Sequence, residues 1–218
     1  MKKQRKRENA LTNIPQKTES YIIRDKQRPY LAIKRTVDVA IACILLLALL
    51  VPMLIIALLI KLESSGPALF KQQRMGLGGK PFTIYKFRTM KIDAPAEMAS
   101  REFTDSSDYI TRLGGFLRRS SIDELPQLFN IVKGDMSFVG YRPVCLTEVK
   151  LNEVRAEYGV FALRPGITGL AQVKGRDTLR SPEKALLDKQ YVEQCSAKLD
   201  LWCCWQTVWT VISGKGAL

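Results

Sequence analysis

Residues 39–60 read VAIACILLLALLVPMLIIALLI, with no charged side chain in the run. A helix of about 20 apolar residues can cross the hydrocarbon core of a bilayer, and a domain of this size rarely buries one so apolar. The run therefore predicts a membrane helix. Pro52 lies near its middle, where the missing N–H favours a kink. Because Lys34, Arg35 and Lys61 flank both ends, a helix that enters one leaflet and returns and a kinked spanning helix are equal alternatives.

The segment before the apolar run is strongly basic. Residues 1–36 carry eleven Lys or Arg against three acids, and the chain of 218 residues has a formal charge of +13. We interpret residues 1–33 as a flexible, basic, cytoplasmic tail, since such segments stay solvated and no small-residue cleavage site follows. Its position favours anionic lipid headgroups, at about 1 kcal/mol per basic side chain. We expect no nucleic-acid partner.

The residue types that are missing narrow the chemistry. The chain has no histidine, which excludes imidazole bases, Ser-His-Asp and Cys-His machinery, and histidine-bound metals. Its five cysteines form no CxxC pair, so we expect reduced thiols rather than disulfides or a zinc site. An acid, base or nucleophile must therefore come mainly from Asp, Glu, Lys, Tyr or Ser.

The remaining chain has the pattern of short strands and helices. Glycines between two runs of β-forming residues predict a hairpin within 66–90, and 93–107 is expected to be a loop or irregular helix. Helices are predicted over 120–132, 147–158 and 182–194, and a loop, a strand and a loop over 164–176. In the first helix Ser121 and Glu124 have the spacing of a capping box. Its predicted apolar face comprises Leu125, Leu128, Phe129 and Val132.

A tryptophan stripe follows near the end of the sequence. Residues 199–213 read LDLWCCWQTVWTVIS, which places Trp202, Trp205, Trp209 and Ile212 on one face of a helix. Such a stripe packs into many protein cores. Tryptophan is also favoured at the membrane interface, where its apolar ring and its N–H both find partners. Both interpretations stay open from the sequence.

The stretch RRSSIDELPQLFNIVKGDMSFVGYRPV, residues 118–144, carries the candidate chemistry. Asp123 and Glu124 are adjacent acids, and acids in a first helical turn are often only caps. Here Arg118, Arg119 and Arg142 converge on them, and a helix N-terminus can hold phosphate oxygens. Phosphoryl chemistry uses such a set: an ionised carboxylate near cations, and a second acid for a metal.

Four stretches resemble the monotopic polyprenyl-phosphate phosphoglycosyl transferases, the bacterial sugar transferase family. They are KRTVDVAIA at 34–42, FKQQRMGLGGKPFTIYKFRTM at 70–90, LRRSSIDELPQLFNIVKGDMSFVGYRP at 117–143 and RPGITGLAQVKGR at 164–176. The resemblance covers residues 34–213. Any one stretch alone is weaker than the ordered set.

The resemblance implies a reaction and roles by position. Asp123 would attack the phosphorus that carries the sugar of a UDP-sugar, release UMP and form an aspartyl-phosphosugar; polyprenyl (undecaprenyl) phosphate would then take the sugar phosphate. Glu124 would help to bind Mg²⁺. The substrate-binding residues would be Lys86, Arg88, Arg118, Arg142, Pro143 and Arg176. The membrane helix would be re-entrant, broken at Pro52, with the protein on the cytoplasmic leaflet of the bacterial inner membrane.

The expected fold is α/β, mostly helical and irregular. It comprises the tail (1–33), a re-entrant helix-break-helix (34–62) and a small cytosolic catalytic domain (63–218) with short strands, ending in an interfacial Trp-rich helix. The sequence leaves room for a homo-oligomer. The protein would initiate synthesis of a bacterial glycoconjugate such as an exopolysaccharide, capsule, O-antigen or glycoprotein.

Three positions depart from the family pattern. Val51 replaces the usual serine before Pro52, Tyr141 replaces the first proline of Pro-Arg-Pro, and Asp177 replaces asparagine after Arg176.

Two rival functions are a glycosyltransferase that releases UDP and a basic membrane scaffold. The first predicts an Asp-x-Asp motif, which we do not find; the second makes the acid pair coincidental.

Overall fold

The computed structural model describes residues 27–94, 109–175 and 179–213, without the side chains of 211 and 212. The predicted tail lies mostly outside these ranges, as do Arg176, Asp177 and most of the loop expected at 93–107. The elements are α1 (Arg28–Glu63), β1 (Leu69–Met75), β2 (Pro81–Phe87), α2 (Arg112–Arg119), α3 (Gln127–Lys133), β3 (Ser137–Val139), α4 (Val149–Glu157), β4 (Gly166–Thr168), α5 (Leu170–Gly175), α6 (Ser181–Gln194) and α7 (Ala197–Ile212).

Helix α1 is long and apolar enough to cross a membrane. It begins at Arg28, before the predicted boundary at 34, and continues through Pro52, so the structure does not confirm the expected break there. Its inner face packs on the rest of the chain on both sides of the proline, through Ala42 in one cluster and Met53 and Ile60 in another. This packing supports the helix where one backbone hydrogen bond is lost.

The opposite face of α1, which we call its outer face, is apolar and exposed. It comprises Ile33, Val37, Ile41, Ile44, Leu47, Leu50, Val51, Leu54, Ile55, Leu58, Leu59 and Leu62. A soluble domain rarely exposes so large a continuous apolar surface, so the outer face indicates contact with lipid or another apolar partner.

Both ends of α1 are attached to the same domain. At the start, Tyr30 and Lys34 donate to the Asp200 carboxylate of α7, at 2.6 and 2.5 Å. At the end, the guanidinium of Arg88 donates to the carbonyls of Ser64 and Ser65. The helix therefore lies along the domain over its whole length instead of leading away from it.

The predicted hairpin is confirmed. Strands β1 and β2 pair antiparallel in a register that sets Leu69 opposite Phe87. The turn between them needs positive φ angles, 64° and 70°, which Gly78 and Gly79 supply without strain. A second, parallel pair is formed by β3 and β4.

The helix predicted over 120–132 is wrong in its first half. Ser121 has φ 58° and no side-chain cap; residues 122–124 form a 3₁₀ turn, and α3 begins only after Pro126. The capping box therefore does not form. In α3, Leu128 and Ile131 are buried, whereas Phe129 and Val132, both expected inside, are exposed.

The other helices follow the sequence patterns closely. Helices α4 and α6 confirm the predictions for 147–158 and 182–194, and β4 confirms the strand in 164–176, although the second loop expected there is the helix α5. On α7, Trp202, Trp205 and Trp209 are 39%, 65% and 57% exposed, so they do not pack into a core formed by the described residues. The structure is thus mostly helical with short strands.

Candidate active site

The two candidate carboxylates lie on the 3₁₀ turn that joins α2 to α3. The turn is anchored from its apolar residues: Ile122 and Leu125 pack against the cluster that holds Met53 and Ile60 of α1. The side chains of Asp123 and Glu124 are 13% and 15% exposed, so both are largely shielded from water yet open to a ligand. The acids are therefore held next to the membrane-type helix.

Glu124 is clasped by two cations. Its Oε1 accepts from Lys86 Nζ of β2 at 2.6 Å and from Arg142 Nη2 at 3.2 Å. Burial opposes ionisation of Glu124, but the two cations outweigh it and lower its pKa to about 2. Glu124 is therefore a carboxylate at any physiological pH, as a metal ligand must be.

Asp123 is held more loosely. Lys86 Nζ lies 4.0 Å from its Oδ2, and within the described residues Asp123 accepts no hydrogen bond. Burial raises its pKa, and the charge of Lys86 counteracts part of that rise. A carboxylate without hydrogen bonds keeps its lone pairs available, which suits a nucleophile.

Arg118 faces Asp123 from the last turn of α2. Its Nε donates to Thr89 Oγ1 at 2.8 Å, and this bond fixes the side chain. Burial lowers the pKa of Arg118, and the nearby charge of Asp123 acts in the opposite sense. With Lys86 of β2 and Arg142 of the turn after β3, it brings three cations near the two acids, which can hold the oxygens of a diphosphate.

The turn that carries Arg142 and Pro143 is also close to the acids. The Pro143 carbonyl accepts from Nη1 of Arg74 on β1, at 3.4 Å. Arg74 is not among the site residues predicted from the sequence, where its only signal is its place in the 70–90 stretch. Burial lowers the pKa of its guanidinium, with Arg142 adding to the effect.

The structure does not bring every predicted site residue together. The described hydrogen bonds of Arg88 run to Ser64 and Ser65, at the end of α1. Pro52 lies within α1, and Arg176 lies outside the described residues. Asp123, Glu124, Lys86, Arg118 and the Arg142–Pro143 turn thus lie together as the candidate site, whereas Arg88 supports the helix beside it.

The acids of the candidate site fit a Mg²⁺ site in which the substrate supplies phosphate ligands. Within residues 27–94, 109–175 and 179–213, no group of three or more His, Cys, Asp or Glu side chains is arranged for a metal. Mg²⁺ commonly takes one or two carboxylates, with substrate phosphates and water completing its shell. The ionised Glu124 supplies one such carboxylate, which leaves Asp123 for the substrate.

Fold and site together define the class: a membrane-associated protein with adjacent carboxylates among cations, suited to group transfer at phosphate. The chain belongs to the bacterial sugar transferase family, whose sequence model matches residues 29–214. The family expected from the sequence motifs is therefore confirmed.

Several relatives have names that state a reaction. The chain is 45% identical over 185 residues to the UDP-glucose:undecaprenyl-phosphate glucose-1-phosphate transferase of Caulobacter vibrioides, covering 82% of this chain and 67% of that one. It is 48% identical over 143 residues to the putative undecaprenyl-phosphate N-acetylgalactosaminyl 1-phosphate transferase of Bacillus subtilis, covering 64% and 78%. For an Escherichia coli enzyme with the same name as the Caulobacter one, identity is 36% and coverage 85% and 41%.

Proposed function

We propose that this protein transfers a sugar 1-phosphate from a UDP-sugar to a polyprenyl phosphate such as undecaprenyl phosphate, releasing UMP, as the first membrane step of a bacterial glycoconjugate. The observation that carries the proposal is that the two acids differ in their hydrogen bonding. Lys86 and Arg142 donate to Glu124, whereas the oxygens of Asp123, one residue away, accept no hydrogen bond from the described part of the chain. Family membership and the names of the relatives support the substrate classes.

In the first step, an oxygen of Asp123 attacks the β-phosphorus of the UDP-sugar. A bond forms between that oxygen and phosphorus, and the bond from phosphorus to the bridging oxygen breaks. UMP leaves with the electron pair, and Asp123 holds the sugar phosphate as an acyl phosphate. Lys86, Arg118 and Arg142 hold the phosphate oxygens and offset their charge, which otherwise repels the carboxylate.

In the second step, a phosphate oxygen of the polyprenyl phosphate attacks the same phosphorus. The bond to Asp123 breaks, its carboxylate is restored, and the product is a polyprenyl diphosphate sugar. Mg²⁺, when bound by Glu124 and substrate phosphates, supplies charge neutralisation for both anionic substrates. The two-step route lets the soluble and the lipid substrate use the same cations in turn.

The membrane helix supports a monotopic attachment. A helix that crossed the bilayer would have its ends on opposite sides of about 30 Å of hydrocarbon. Instead, Lys34 near the start and Ser64 after the end bind the same domain, and the outer face of α1 is free for lipid. We propose that α1 is embedded in one leaflet of the inner membrane from the cytoplasmic side without crossing it, and that the exposed Trp face of α7 lies at the interface. The basic tail adds attraction to anionic lipids.

The experiment uses the full chain in lipid nanodiscs with Mg²⁺, undecaprenyl phosphate and a panel of UDP-sugars that includes UDP-glucose and UDP-N-acetylgalactosamine. UMP and UDP are measured separately. We expect UMP, and a sugar phosphate on Asp123 detectable by mass spectrometry when the lipid is omitted. Asp123→Asn should abolish both, whereas the exposed Asp93→Asn should behave as wild type. Release of UDP in place of UMP would refute the proposed chemistry.

A further inference from the structure

The turn that carries Arg142 is held by its backbone. Each carbonyl from residue 141 to 144 accepts a hydrogen bond. Gly166 N donates to Tyr141 O at 2.9 Å, and Arg155 Nη1 donates to Arg142 O at 3.0 Å. Arg74 Nη1 donates to Pro143 O at 3.4 Å, and Met75 N donates to Val144 O at 3.3 Å. The turn is therefore fixed, while the Arg142 side chain stays 51% exposed and can reach a ligand.

Arg155 is a donor whose charged group is buried and paired with an acid. It lies on α4 and is almost fully buried against Asp188 of α6, whose Oδ2 accepts from its Nε at 2.9 Å and its Nη2 at 2.6 Å. Desolvation of two charges makes such a pair a weak source of stability, and apolar residues of similar volume hold two helices together equally well. What apolar residues cannot do is donate to the Arg142 carbonyl.

Tyr141 covers this pair. The Arg155 guanidinium lies 5.2 Å from the centre of its ring, and the ring packs edge-on against Phe161 at 5.5 Å. Tyr141 is itself buried, so its ring shields the guanidinium from solvent. A donor shielded from water holds its acceptor more strongly than one in solvent.

We infer that Arg155 is a positioning residue: neutralised by Asp188 and covered by Tyr141, it holds the Arg142 backbone so that the Arg142 guanidinium meets Glu124 and then the diphosphate of the UDP-sugar. The inference rests on the proposed function for its ligand. Helices α4 and α6 thereby act on nucleotide binding without contacting the nucleotide.

Two variants remove the contact in different ways. Arg155→Lys keeps a positive charge beside Asp188, but an ammonium has no planar fork to donate to both Asp188 and the Arg142 carbonyl. The double variant Arg155→Met with Asp188→Leu replaces the pair by apolar side chains, which avoids a lone buried charge and preserves folding. Circular dichroism melting establishes that each is folded, and Glu193→Gln on α6, away from the buried pair, is the matched control.

The readouts are the Kd for UDP by calorimetry and the KM and kcat of UMP release. We expect both positioning variants to raise Kd and KM about tenfold, with kcat changed less than about twofold. In an Arg142→Ala background, the Arg155 changes should add less than about twofold, since a residue that acts through Arg142 loses its effect without it.

Two outcomes separate this inference from the proposed function. Folded variants with unchanged Kd, or effects that multiply fully in the Arg142→Ala background, would overturn the positioning role even if the enzyme releases UMP. Coupled Kd values in a protein that never releases UMP would do the reverse, sinking the proposed reaction and leaving the positioning role in place.

Discussion

Lys86 is the cation shared by both acids, and its removal tests the electrostatics of the site. Its Nζ lies 2.6 Å from Glu124 Oε1 and 4.0 Å from Asp123 Oδ2. Lys86→Met keeps the length of the side chain and removes the charge. Because a nearby cation lowers the pKa of a carboxyl, its loss must raise the pKa of Asp123, which burial already raises.

The distance sets the size of the effect. Two unit charges 4.0 Å apart interact by about 1 kcal/mol in bulk water and about 4 kcal/mol at the effective dielectric constant of a protein surface. Removing Lys86 therefore disfavours the ionised form of Asp123 by about 1 to 4 kcal/mol. Because the side chains of Lys86 and Asp123 are only 18% and 13% exposed, water screens this interaction weakly, and the pKa of Asp123 should rise clearly.

The assay is the pH dependence of UMP release in a single turnover without lipid. Asp123 must be ionised to attack, so the acidic limb of the profile should move to higher pH in Lys86→Met. Glu124 starts from a pKa of about 2, and its partner Arg142 remains, so the limb reports Asp123. Lys80→Met removes the same charge at the exposed far end of the hairpin and should leave the limb in place. A slower Lys86→Met with an unmoved limb would refute this electrostatic role.

Three further changes test supporting contacts. Arg88→Met should cost about 2 kcal/mol or more in unfolding free energy, by denaturant titration, because carbonyls at the end of α1 lose their donors, yet KM for the UDP-sugar should not change in folded protein. Asn130→Ala should cost about 3 kcal/mol in the same titration, since the buried amide donates to Thr83 O and accepts from Tyr85 N; a cost below about 1 kcal/mol would contradict this. Tyr141→Phe should leave the melting temperature unchanged or raise it, with a gain of up to about 1 kcal/mol in unfolding free energy, because the buried hydroxyl has no partner among the described residues.

Local signals predicted well where neighbours along the chain decide the structure. The hairpin follows from paired glycines between β-forming runs, and α4 and α6 follow from their periodicity. The capping box failed because Glu124 binds Lys86 and Arg142, which lie 38 and 18 residues away in sequence. Charge pairs between distant elements leave no mark in a local window, so a spacing typical of a cap was misleading.

The acids of the site and the cations that contact them could be predicted, but not the residues that support those cations from behind. One stretch of sequence, 118–144, contains Asp123, Glu124, Arg118 and Arg142. Arg155 looks like an ordinary helical arginine until Asp188, 33 residues later, is packed against it. The tryptophan stripe of α7 showed which residues share a face, but periodicity does not tell what covers that face.

The attachment of α1 to Asp200 has a consequence for biosynthesis. Lys34 precedes Asp200 by 166 residues, so at about 5–20 residues per second the helix leaves the ribosome on the order of ten to thirty seconds before its partner. The inner face of α1 also stays without its packing partner α3 during part of this time. We expect the nascent helix to meet lipid first, so that the catalytic domain completes its folding at the bilayer surface, on an anchor already in place.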